Sequence, residues 1–95
     1  MQILAREESR ERCAEAGWYA YDLMLSEPLS ETAIRQLKPL GSFVYLGMLK
    51  KPFFKVENHY FILKGILGDD FFRVAVHGDH REELERISTF VIEKL

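Results

Sequence analysis

From Ser42 the apolar period changes from the 3.6 of the preceding segment to 2, and it stays there as far as His77. Period 2 places successive side chains on opposite faces of an extended chain, so this stretch must fold as strands joined by turns. SFVYLGML from Ser42 is a strand, and Lys50-Lys51-Pro52 is the turn after it. FFKVE is a short strand. Glu57-Asn58 then allows a tight turn, because Asn tolerates positive φ. HYFILKGIL follows, Gly68-Asp69-Asp70 is a strong turn signal, and FFRVAVH is the last strand. If no turn forms at Asn58, residues 53–67 become one bent strand.

Within these strands Phe53-Phe54 and Phe71-Phe72 are adjacent pairs. One Phe of each pair must face away from whatever covers the other. Eight of the twelve aromatic residues fall between Phe43 and Phe72, which concentrates the core in this sheet.

Upstream, Trp18–Leu25 (WYAYDLML) reads as another strand, apolar on both faces with Asp22 as its one charge. Tyr19 and Tyr21 share one face; Trp18, Ala20 and Met24 share the other. Ser30 is a good N-cap for a short helix over 31–38. Leu29 and Ile34 are spaced as a hydrophobic staple, and Pro39 blocks continuation. The 16-residue connection from this strand to Ser42 suits a right-handed parallel crossover. At the C-terminus, Asp79 and Glu82 are spaced as a capping box. Leu84, Ile87, Val91 and Leu95, with Phe90 beside them, form the stripe of an amphipathic helix.

Residues 2–16 are dominated by helix-forming Ala, Leu, Arg, Glu and Gln, and Gly17 is placed to end a helix. Its apolar stripe is thin: Ile3, Leu4, Cys13, Ala14 and Ala16. The expectation is a weakly amphipathic, peripheral N-terminal helix over 1–17 within a single α+β domain spanning 1–95. The element order is α-β-α-β-β-β-β-α, built on a mixed, mostly antiparallel sheet of four or five strands. That order resembles the small ferredoxin-like sandwiches, without their final strand.

Composition enters as a test of function. Thirteen Lys and Arg against fifteen Asp and Glu give a net charge of −2. Lys64-Gly65 begins like the basic-glycine start of an RNA-recognition strand, but Ile66-Leu67-Gly68 departs from the aromatic pattern. Without a basic stripe, nucleic acid is not an expected partner. No apolar run approaches the roughly 20 residues of a membrane span. The N-terminus lacks the apolar stretch of a secretory signal, so the expected setting is cytoplasmic. The single cysteine, Cys13, excludes an internal disulfide framework and reads as a small half-buried side chain.

Glycine-rich phosphate loops, nucleophile elbows, paired zinc-ligand motifs and calcium loops are all missing. The sequence therefore assigns no catalytic residue, metal or cofactor. One polar constellation remains. His77-Gly78-Asp79-His80 stands where the last strand meets the last helix, and His77, Asp79 and His80 could supply a ligand site, metal ligands or a general base. The plainer account makes Asp79 a cap and Gly78 a turn. His59 either joins His77 and His80 in space or, standing at a turn, lies at the opposite end of the sheet. Asp69-Asp70 and Lys50-Lys51 read as hairpin turns.

The second apolar face is the stronger signal. The N-terminal helix is one cover for it, but its thin apolar stripe makes that cover incomplete, so the leading expectation is a homodimer, packed sheet to sheet or exchanging N-terminal helices. Tyr19, Tyr21, Phe53 and Phe71 are the candidate interface residues. A pocket for a small apolar or aromatic ligand between sheet and helices is a further expectation. The leading reading is a non-catalytic interaction or small-ligand-binding domain that self-associates. The runner-up is a small enzyme or metal-binding protein using the His77–His80 junction.

Overall fold

A computed structural model describes residues 1–8 and 17–95. Its frame is an α+β fold with one six-stranded sheet, in which every pairing is antiparallel. The strands are β1 (Ile3–Glu8), β2 (Trp18–Leu25), β3 (Ser42–Leu46), β4 (Phe53–Glu57), β5 (Phe61–Ile66) and β6 (Phe71–His77). They lie in the order β1-β2-β6-β5-β4-β3. The helices are α1 (Glu31–Arg35) and α2 (Glu82–Lys94), with single 3-10 turns at Lys38–Leu40 and Gly78–His80.

Where turn chemistry bounds the alternation, the strands stand as the pattern predicts. At the β4–β5 connection a turn does form, but later than expected: Glu57 stays in β4, paired with Ile62, and β5 starts only at Phe61. Its agent is the Asn58 side chain rather than positive φ, which no described non-glycine residue adopts. The Asn58 Oδ1 accepts from the Tyr60 and Phe61 N–H groups at 2.8 and 3.0 Å, and its Nδ2 donates to the Leu40 carbonyl at 3.2 Å. Residues 53–67 are thus two strands.

Several expectations are corrected. Residues 3–8, expected to open a helix, form edge strand β1 paired with β2. This is the sixth strand, and it replaces helix propensity with a ladder of backbone hydrogen bonds. The rest of the expected helix, 9–16 with Cys13, lies outside the described residues. Gly17 is left-handed, at φ 90°, immediately ahead of β2. The crossover through α1 does carry the chain to a strand parallel to β2, but β3 lies at the far edge of the sheet with three strands between them, so no parallel pair forms and the sheet is antiparallel rather than mixed. A six-stranded sheet whose last four strands form one meander departs from the ferredoxin-like order. Strand β3 stops at Leu46, because its last partner, Phe53, is the first residue of β4. Asp79 does not cap α2, which starts at Glu82 with no side-chain cap; the Asp79 N–H instead donates to His77 Nδ1 at 3.2 Å.

The core fills one face of the sheet. Leu23, Phe54, Val56, Phe61, Leu63, Phe72, Val74 and Val76 are wholly buried there against Ile34 and Leu37 after the Ser30 cap, and against Leu84, Ile87 and Val91 of α2. Ser30 Oγ accepts from the Ala33 N–H at 3.1 Å, and the staple residues Leu29 and Ile34 are both buried. Tyr45 holds the β3 end under α1. Desolvation there, then the Glu31 carboxylate, raise its hydroxyl pKa above the ordinary value, with the Arg35 guanidinium opposing.

Candidate functional site

Both described helices pack on the core face, so the sites open to other molecules are the opposite sheet face, one sheet end, and a cleft beside α2.

Pairing fixes the opposite face as rows running across the strands. The central row is charged: Glu7, Asp22, Arg73, Lys64 and Lys55 lie opposite one another on β1, β2, β6, β5 and β4, ending on Val44 of β3. Arg73 Nε donates to Asp22 Oδ1 at 3.1 Å. Lys55 and Lys64 face each other as like charges, an unfavourable cross-strand pair. To one side runs an apolar row: Ala5 opposite Met24, Met24 opposite Phe71, Ile66 opposite Phe53, and Phe53 opposite Leu46. To the other run Ala20, Ala75, Ile62, Glu57 and Ser42. Met24, Phe53, Ile66 and Phe71 are half-buried, while Val44 and Leu46 are exposed. The apolar character continues past β3 into the hairpin tip, where Met48 is 84% exposed and Leu49 is also exposed.

The candidate interface residues divide between the two faces. Phe53 and Phe71 lie on the uncovered face, with Phe54 and Phe72 in the core. Tyr19 and Tyr21 lie on the helix side, in line with Leu23 and Leu25. There the Arg81 guanidinium sits 3.8 Å over the Tyr19 ring, and Tyr21 lines the cleft.

At the sheet end, the structure sets His77 and His80 beside Tyr60, whose chain neighbour is His59. The His77 N–H donates to the Tyr60 carbonyl at 3.0 Å, which carries the β4–β5 turn to the β6–α2 junction. His59 is therefore at the same end as His77, not the opposite one. The Tyr60 and His80 rings are 4.4 Å apart, His77 and His80 5.9 Å, and Trp18 meets His77 edge-on at 5.4 Å. His77 Nδ1 accepts from the Asp79 N–H at 3.2 Å. Among the described residues no three His, Cys, Asp or Glu side chains converge as a metal set. What this end offers is ring stacking and imidazole donors.

The cleft, of about 320 Å³, is lined by Arg6, Glu8, Tyr21, Arg81, Leu84 and Glu85. Arg6 crosses it to Glu85 at 2.6 Å. Four of the six lining residues are charged, and two of these, Arg6 and Glu85, neutralise each other. Asp69 and Asp70 act as turn residues: their carbonyls accept from the Leu29 and Leu25 N–H groups at 2.8 and 2.7 Å. Among the described residues no helix is long and apolar enough to cross a membrane.

No family model matches this chain, and neither does any curated protein or solved structure. The functional reading therefore rests on the geometry of these three places.

Proposed function

We propose that this chain is a non-catalytic cytoplasmic interaction domain that self-associates through the uncovered face of its sheet. The carrying observation is the apolar row from Met24 through Phe71, Ile66 and Phe53 to Leu46, which has no described helix over it. Six strands spaced at about 4.8 Å, each about five residues long, present a flat rectangle of about 490 Å². Side-chain relief raises its accessible area toward the roughly 800 Å² per partner of a standard interface. The lone cysteine suits a reducing compartment, where no disulfide framework is needed.

Sedimentation equilibrium at micromolar concentration should return twice the 11.1 kDa of one chain. Phe71→Asp should return the single-chain mass, because a carboxylate buried between two sheets has no partner. A wild-type chain that stays at 11.1 kDa throughout disproves the proposal.

The approach of the His77 and His80 rings to 5.9 Å favours a second reading, in which His77, Asp79 and His80 serve a metal-binding protein or small enzyme. That reading requires stoichiometric Zn²⁺ or Ni²⁺ uptake that disappears in the His77→Ala/His80→Ala double variant.

A further inference from the structure

Resting on that self-association, we infer that the partner on the uncovered face is a second copy of this chain, related by a two-fold axis parallel to the strands and running along β6. The charge order across the sheet selects this axis. Acids occupy β1 and β2 (Glu7, Asp22), and bases occupy β6, β5 and β4 (Arg73, Lys64, Lys55). The central row is thus acidic at one end and basic at the other.

Rotation about an axis parallel to the strands keeps every row at its own height and reverses the strand order. With the axis along β6, β1 of one copy lies over β4 of the other, and β2 lies over β5. Glu7 then faces Lys55 of the second copy, and Asp22 faces Lys64. Each contact occurs twice. The like-charged pair Lys55–Lys64 gains two carboxylates. Arg73 lies near the axis, where its charge is already met by Asp22 at 3.1 Å. In the apolar row, Phe71 meets Phe71 of the second copy, Met24 meets Ile66, and Ala5 meets Phe53. An aromatic pair on a two-fold axis is a favourable centre for an interface.

An axis perpendicular to the strands does the opposite. It lays Lys55 over Lys55 and Glu7 over Glu7, and it turns the apolar row onto the row that contains Glu57. Sheets in an aligned sandwich cross at about 30° and lie about 10 Å apart. That crossing displaces Glu7 from Lys55 by only about 5 Å at two strands from the axis, which a lysine side chain spans.

The geometry is tested by a charge swap. Glu7→Lys and Lys55→Glu are made separately, and each is checked for native circular dichroism. Each homodimer then carries two repelling contacts and should dissociate about tenfold more readily than wild type at low salt. Mixed one to one, the two variants restore attraction at both contacts, so the heterodimer should form with near wild-type affinity. High salt should shrink both effects. If wild type is dimeric and the variants are unaffected, or are weakened without rescue on mixing, the axis is wrong while self-association stands. A wild-type chain that never dimerises overturns the self-association reading itself.

Discussion

Phe54→Ala is expected to lower the melting temperature by about 12 °C or more, read by circular dichroism, and to leave a sizeable unfolded fraction at 37 °C. The ring is wholly buried at the centre of the core face. It lies across from Gly65 on β5 and from Tyr45 on β3, so three strands share it. Truncation of such a ring costs about 3–5 kcal/mol, because the transfer energy is lost and the surrounding backbone ladder is too stiff to close the cavity. A chain of this length has only about 5–14 kcal/mol of total stability. At about 4–8 °C per kcal/mol the shift is at least about 12 °C. Phe53→Ala removes the same atoms from the uncovered face and should cost the isolated chain much less. Equal losses at the two positions would mean that the two faces are not distinct.

The contrast between neighbouring Phe53 and Phe54 marks how far the sequence alone leads. Alternation says that one ring of the pair is inside; it does not say which. Leu23 and Leu25 share a face with Tyr19 and Tyr21, and that shared face was readable from spacing. That it would be the helix side depended on which strands stand beside β2. Strand β6 takes that place, with β1 on the far side. The 16-residue connection after β2 fits an adjacent crossover or a path across the whole sheet equally well, since chain length limits reach but not destination.

Strand β1 was hidden for a different reason. Ala5, Arg6, Glu7 and Glu8 have little β preference, and tertiary pairing with β2 overrides them. With β1 unseen, the acidic end of the uncovered face could not be read, because Glu7 supplies half of it. The gathering of Tyr60, His77 and His80 was equally illegible. It exists because Asn58 closes a two-residue loop beside β6, and long-range pairing rather than spacing then puts Tyr60 next to His77. The local signals that did survive were those closed within a few residues: the Ser30 cap, the Leu29–Ile34 staple and the α2 stripe.

Gly65→Val should destabilise the chain by about 3 kcal/mol, although local preference argues the other way. A glycine inside a strand is unfavourable by about 0.5–1 kcal/mol relative to alanine. Valine adds β preference on a scale that spans about 1 kcal/mol. Packing opposes both. A Cβ at position 65 would stand 2.5 and 2.7 Å from Phe54 Cε1 and Cζ, and 3.1 Å from Phe72 Cβ. Both phenylalanines are wholly buried, so neither ring can swing into solvent. Overpacking of this kind costs about 1–3 kcal/mol for added methylenes, and valine adds a branched group beyond the clashing Cβ. The clash therefore wins, and the glycine is present because the Phe54 ring occupies the space above it. The same reasoning fixes the double variant. In Phe54→Ala the cavity lies over position 65, so valine there fills space instead of competing for it. The two losses should be non-additive by about 1–3 kcal/mol in the favourable direction. Urea melts of the four proteins in the cycle measure this directly. Additive losses, or a Gly65→Val chain as stable as wild type, would show that Phe54 does not cover Gly65.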